Sequence, residues 1–156
     1  SVFNHIAADH LHPLQLVLHA AARVVVRKRK FDHITADVRD YLHWLPIGHR
    51  IDFKLCVLVY KCLHRTAPSY LADNCTPVST NPNRSQLRSI ANCDLTVPRT
   101  KTVTYGPRSF PVIGPTIWNT LPTDIRDISL TLHQFCAKLK TVIFTRAYST
   151  STAHSR

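Results

Sequence analysis

The stretch of residues 50–64 constrains the fold of this chain more than any other part of its sequence. Its apolar side chains occupy two neighbouring helical stripes: Ile51, Leu55, Leu58, Cys62 and Leu63 on one, and Phe53, Val57 and Tyr60 on the other. A helix that is apolar over so much of its circumference belongs at the centre of a core. The sequence therefore predicts a mainly α-helical fold built around this segment.

Two further helices are predicted before it. In residues 13–26, Pro13 suits a first helical turn, and apolar side chains recur at helical spacing at Leu14, Val17, Leu18, Ala21 and Val25. Thr35 is a favourable N-cap for the next helix, whose predicted apolar stripe is Ile34, Val38, Tyr41, Leu42 and Leu45.

Pro46 must end the second of these helices, because the residue before a proline is pushed out of the α region. Proline is itself well tolerated in a helix's first turn. We therefore expect Trp44, Leu45 and Pro46 to form a structural corner between two helices, and we expect Trp118, beside Leu121 and Pro122, to pack in a similar way.

The second half of the chain is more varied. Residues 76–89 are rich in Pro, Asn, Ser and Thr and are interpreted as a linker that divides two subregions. Residues 94–97 and 101–105 are predicted to form a short β-hairpin. A short helix is predicted over 114–121, and a C-terminal helix from Thr131, where Gln134 completes a capping box. The predicted organisation is one domain over 1–148 and a disordered tail over 149–156.

The charge balance indicates an anionic partner. The chain has 156 residues, with Lys+Arg 20 against Asp+Glu 9 and a formal net charge of +11. Such an excess favours nucleic acid. The predicted contacts fall in two groups: Arg23, Arg27, Lys28, Arg29 and Lys30, then Arg84, Arg88, Arg99, Lys101 and Arg108. Trp44 and Trp118 could stack on bases, although core packing is the stronger interpretation for both.

No catalytic, metal or cofactor site is predicted. The three glycines are far apart, which excludes a P-loop, and no Asp-Asp pair is present for two-metal chemistry. Asp37 and Asp40 share one helical face, but a surface ion pair explains them better than a metal. Five cysteines without a C-x-x-C pair indicate a reducing intracellular compartment, nuclear or cytoplasmic, rather than secretion, and no stretch predicts a membrane span.

Four groups of strings carry a resemblance to a known family. They are AAARVV with DHIT in residues 20–35, LHWLP with RIDFK and LVYKCLH in 42–64, LTVPRTK in 95–101, and GPRSF with GPTIWNTLP and LKT-x-x-F in 106–144. In order and approximate spacing they resemble the region after the polymerase core in LINE-type (non-LTR) retrotransposon reverse transcriptases of the jockey and chicken-repeat kinds.

That resemblance implies a non-catalytic C-terminal segment of an RNA-directed DNA polymerase, which contacts element RNA or target DNA. It also implies the upstream polymerase domain as a partner. None of the parent's catalytic motifs is present, so the chain is not expected to be an enzyme by itself. Arg65 stands where the family usually has Gly, a position suited to a left-handed helix C-cap.

Other interpretations remain open at this point. The segment could be a protein-docking module that packs on the polymerase thumb, with cations that only confer solubility. The absence of both Met and Glu favours a fragment and is consistent with a decayed element copy without function. An uncharacterised zinc nuclease is the third alternative.

Overall fold

The computed structural model describes residues 8–80, 93–100 and 106–149. The prediction of a mainly helical fold is confirmed. The α-helices are α1 (Ala8–Val25), α2 (Ile47–Leu63), α3 (Ser69–Ala72), α4 (Phe110–Asn119) and α5 (Leu132–Ser149). A π-helical turn covers Asp37–Tyr41, and single 3₁₀ turns cover Val78–Thr80 and Gly106–Arg108.

The chain divides into two compact units, and each is considered by itself. The first contains Phe3–Asp52 and Lys140–Arg156, and the second contains Phe53–Leu139. The boundaries therefore fall inside α2 and α5. The remainder of the predicted linker after Thr80 and the tail after Ser149 lie outside the described residues, and the single domain over 1–148 stays a prediction.

In the first unit, the buried face of α1 shares only Leu18 with the predicted stripe. Leu18 and Ala22 are buried, and Ala22 packs with Ile34 and Val38. Leu14, Val17 and Val25, which the sequence pattern placed in the core stripe, are exposed. The prediction was ambiguous because α1 has apolar side chains on both faces, and periodicity alone does not say which face has a neighbour.

The second predicted helix is shorter and wider than expected. After Thr35 and Ala36 the backbone enters the π-helical turn, in which the Leu42 N–H donates to Asp37 O at 2.8 Å. The i→i+5 spacing shifts every later side chain around the axis relative to an α-helix. Tyr41 is consequently 74% exposed, although the 3.6-residue pattern placed it on the buried stripe.

The second unit has an aromatic core supplied by α2, α4 and α5. The Phe135 ring stacks on Tyr60 at 4.5 Å and on Trp118 at 5.8 Å between centroids. Tyr60 donates its hydroxyl to Leu130 O at 2.5 Å, which satisfies its buried polar end. Of the two apolar stripes predicted for α2, Tyr60 and Cys62 are buried, and Cys56 and Val59, which belonged to neither stripe, are buried as well.

Helix α4 begins four residues earlier than predicted, and Gly114 therefore lies inside it. A Cβ at Gly114 would be 3.1 Å from both the Phe110 ring and a Val59 methyl group. The glycine thus allows α4 to approach α2 closely. The predicted capping box of α5 is confirmed, since the Thr131 N–H donates to Gln134 Oε1 at 3.0 Å and the Gln134 N–H to Thr131 Oγ1 at 3.4 Å.

The predicted β-hairpin is not supported, since the described part of the chain contains no β-strand. Its first arm makes an isolated antiparallel bridge between Leu95 and Pro77. On its other edge, the Asn119 carboxamide accepts from Leu95 N and donates to Leu95 O, both at 2.8 Å. Both edges of this arm are therefore occupied by partners distant in sequence. The second arm, 101–105, lies outside the described residues.

A left-handed residue ends α2, at the position where the family resemblance pointed to a glycine. Arg65 has φ 55°, the Thr66 N–H donates to Lys61 O at 2.9 Å, and the Arg65 N–H donates to Cys62 O at 3.1 Å. These two bonds define a Schellman motif, whose left-handed position favours glycine because a Cβ is strained there.

Replacing Arg65 by Gly is expected to stabilise the protein by about 1 kcal/mol, because the strain of the left-handed backbone is removed. Chemical denaturation of both proteins measures the change. Arg65→Ala is the control, since it removes the same side chain but keeps the Cβ. Equal stability of the Gly and Ala variants would contradict the explanation.

A buried ion pair ties the segment before α4 to the segment after it. Arg126, with a side chain only 6% exposed, donates Nη1 to the Asp94 carboxylate. Its Nε is buried and has no hydrogen-bond partner in the described part of the chain. Because Leu95 next to Asp94 is held by Asn119 as well, the pair and the carboxamide together fix residues 94 and 95.

Truncating Asp94 to Ala is expected to cost about 3–5 kcal/mol in the free energy of unfolding, because it leaves a buried guanidinium unpaired. Replacing both partners by apolar residues, as in Asp94→Leu with Arg126→Met, should cost markedly less than the single change. Denaturant titrations of the single and double variants test this. A double variant no more stable than Asp94→Ala would show that the penalty does not come from the unpaired charge.

Candidate nucleic-acid interface

The first predicted basic group lies where α1 ends. Arg27 has φ 56°, the Lys28 N–H donates to Arg23 O at 2.9 Å, and the Arg27 N–H donates to Val24 O at 3.3 Å. This is a second Schellman motif with arginine at its left-handed position. The helix therefore stops before the four consecutive cations, and they leave it on a turn.

A hydrogen bond to the Asp32 side chain and a main-chain hydrogen bond then fix a tight turn. The Arg29 N–H donates to Asp32 Oδ2 at 2.8 Å, and the Asp32 N–H donates to Arg29 O at 3.2 Å. Arg23 Nε donates to Asp32 O at 3.2 Å, which ties the turn back to α1. We call residues 27–32 the basic turn.

The five cations of this group play different parts. Arg23 is half-buried and holds Asp32, and Lys28 binds Asp37 with Nζ 2.6 Å from Oδ2 while also donating to His33 O at 3.3 Å. Arg27, Arg29 and Lys30 are exposed. Because their cationic groups have no ion pair within the described residues, these three side chains are the ones that can meet phosphates directly.

Phe31, which was not among the predicted site residues, lies within the basic turn. It is 88% exposed, and the Lys30 ammonium is 5.4 Å from its ring centroid. The signal in the sequence was an aromatic residue directly after four cations.

The second basic group is only partly described. Arg99 and Arg108 are exposed residues of the second unit. Arg84, Arg88 and Lys101 lie outside the described residues. The structure thus places four cations of the first group on the basic turn and the fifth, Arg23, at the end of α1, while the clustering of the second group stays a prediction.

The corner at Trp44, Leu45 and Pro46 combines apolar packing with polar contacts to its backbone, and Trp44 packs against the buried cluster of Ala22, Ile34 and Val38. Tyr148 donates its hydroxyl to Trp44 O at 2.6 Å, and Arg50 Nε donates to Leu45 O at 2.9 Å. Leu45 is buried, whereas Trp44 is half-buried beneath the Arg50 guanidinium, 5.4 Å from its ring. Pro46 O accepts from the Arg50 N–H in the first turn of α2.

Trp118 lies in the core of the second unit. It is 1% exposed, and its Nε1 donates to Cys93 O at 3.1 Å. A base could reach this ring only after the core had opened. The two tryptophans are therefore poor stacking surfaces compared with Phe31.

The acidic residues that could have held a metal ion are instead paired with cations. Asp37 binds Lys28, and Asp40 binds Arg39 with Oδ1 2.6 Å from Nε. Within residues 8–80, 93–100 and 106–149, no cluster of three or more His, Cys or acidic side chains is placed to hold a metal ion. No helix in these ranges is long and apolar enough to cross a membrane.

Comparison with protein-family models, with curated proteins and with solved structures finds no match to this chain.

The most strongly perturbed carboxyl group of the first unit is that of Asp52, in α2. Burial raises its pKa to about 7, against an opposing effect of the Arg146 guanidinium. Its Oδ1 is buried without a hydrogen-bond partner among the described residues. Burial also lowers the pKa of His19 and of His49.

The Asp52 shift predicts a pH-dependent stability difference between the wild type and Asp52→Asn. The folded state keeps a proton that the unfolded state releases near pH 4, so the wild type loses stability as the pH rises from about 4 to about 7. Asn does not titrate, and both proteins contain His19 and His49. Urea denaturation from acid to neutral pH should show the wild type losing stability relative to the variant. A difference independent of pH would contradict the assignment.

Proposed function

We propose that this chain is a non-catalytic nucleic-acid-binding segment of a non-LTR retrotransposon reverse transcriptase, which contacts element RNA or target DNA through the basic turn. Binding is electrostatic and has weak sequence preference. The upstream polymerase of the same polyprotein supplies the chemistry, and the segment works in the nucleus or cytoplasm.

The observation that carries the proposal is that some charged side chains hold the backbone of the basic turn while others are exposed to solvent. Asp32 is used to close the turn, and Arg23 is used to hold it, so both stabilise the backbone. Arg27, Arg29 and Lys30 then extend from a fixed backbone into solvent. A preorganised set of cations binds phosphates with a smaller loss of conformational entropy than a flexible run would.

Two features of the sequence support the same function. The net charge of +11 favours association with a polyanion. The strings that resemble the reverse-transcriptase segment include AAARVV, which precedes the basic turn, and DHIT, which begins at its last residue, Asp32.

Replacing Arg27, Arg29 and Lys30 together by Ala is expected to weaken binding to single-stranded RNA and to make it less dependent on salt. Each lost phosphate contact changes the slope of log affinity against log salt by about 0.7 for a single strand, so the slope should become shallower by about 2. Lys28→Ala should change it less, because Asp37 already offsets that charge. RNA and duplex DNA affinities measured across a salt titration test both statements.

The matched control replaces Lys54, Lys138 and Lys140, which are exposed elsewhere on the chain, and it has the same net charge as the triple variant. If the basic turn is the site, this control keeps the wild-type slope to within about one contact. An equal loss in both variants would show non-specific attraction to the whole chain. Absence of binding by the wild type at low salt would rule out the function.

A second function, docking on a protein, is favoured by the exposed face of α1. Val17 and Val24 are 67% and 79% exposed, and Leu14 and Val25 lie on the same side of the helix. Contiguous apolar surface of this kind marks interaction sites. If the wild type binds no RNA but binds a hydrophobic dye at this face, the docking module becomes the better assignment.

A further inference from the structure

Phe31 is the most exposed of the large apolar side chains in the described part of the chain. Its ring is 88% exposed, yet it lies between Lys30 and Asp32 in a turn whose backbone is well defined by hydrogen bonds. A scattered exposed apolar side chain is ordinary on a protein surface. An aromatic ring held outward among cations that also extend into solvent is a more specific arrangement.

Hydrogen bonds restrain the backbone on both sides of Phe31. Before Phe31, Arg29 N and Arg29 O are both bonded to Asp32. After it, Arg23 holds Asp32 O and Lys28 holds His33 O. The backbone that carries Phe31 is therefore held in place, and the ring extends from it into solvent.

We propose that Phe31 stacks on a base of single-stranded RNA or DNA, whose phosphates are bound by Arg27, Arg29 and Lys30. This inference rests on the proposed function and makes it more specific, because it selects single strands over duplex. The three cations are within four residues of Phe31, so their Cα atoms lie no more than about 14 Å from it. Single-strand sites combine these two elements, a cationic track and an aromatic platform.

A base suits the geometry better than a lipid or a duplex does. The ring's chain neighbours, Lys30 and Asp32, are both charged, so inserting the ring into hydrocarbon would bring two charges to the membrane boundary. A stacked base covers only the face of the ring and leaves both charges in water. In a duplex the bases are already stacked on each other, so the ring has no partner there.

The test compares a short oligouridylate with an abasic strand of the same length, using the full chain. The wild type is expected to bind the oligouridylate about tenfold more tightly than the abasic strand, and Phe31→Ala should abolish that preference without changing the salt slope. Phe31→Trp should keep the preference. Phe31→Leu should behave as Ala does, because it is apolar but has no π face.

The control is Tyr70→Ala, which removes another exposed aromatic side chain, in the second unit, and is expected to leave both affinities unchanged. Circular dichroism of each variant checks the fold, which an exposed side chain should not affect. Duplex affinity is expected to be the same for the wild type and Phe31→Ala.

The outcomes distinguish stacking by Phe31 from the proposed nucleic-acid binding on which it rests. If the wild type binds no nucleic acid at low salt, the proposed function fails and stacking fails with it. If the wild type binds with the expected salt slope but Phe31→Ala retains the base preference, only the stacking inference is overturned. If Phe31→Leu behaves as the wild type and the chain binds vesicles of anionic phosphatidylserine through Phe31, the ring is a membrane-inserting group instead.

Discussion

The structure depends on left-handed backbone at residues other than glycine. Only three glycines are present in the sequence, and no glycine among the described residues has a positive φ. Arg27, His43 and Arg65 adopt that conformation instead, and each lies directly after a helical segment. Each of them opposes folding by about 1–2 kcal/mol. The hydrogen bonds of the caps and the packing of the following residues offset this cost, so the chain leaves each helix at these residues.

The reversal at Arg27 has a functional consequence as well. Had α1 continued, the four cations would have been distributed around a helix, and Lys28 could not have reached both His33 O and Asp37 as it does. The early helix end instead places Arg27, Arg29, Lys30 and Phe31 on one short turn. Asp32 closes that turn and Asp37 pairs with Lys28, which leaves Arg27, Arg29 and Lys30 without an ion pair among the described residues. A strained backbone residue thereby positions the surface for which we propose nucleic-acid binding.

The first unit has a basic surface, the basic turn, and an apolar surface, the exposed face of α1, and the two suit different kinds of partner. The basic turn suits a polyanion and gives binding that salt weakens. The exposed face of α1 suits an apolar surface and gives binding that salt weakens little. The salt dependence of each interaction is the property that distinguishes them.

The sequence by itself determined the helical class, part of the buried face of α2, and the capping box at Thr131 and Gln134. These are decided by local periodicity and by side chains that bond within one turn of the backbone. The tertiary structure alone decided which face of α1 is buried, because both of its faces are apolar. It also decided the conformation of residues 94–97. Their β-branched side chains predicted a strand, but Asn119 binds Leu95 and Arg126 binds Asp94. Partners so far apart in sequence leave no local pattern, and Phe31 likewise became a candidate only when its exposure was known.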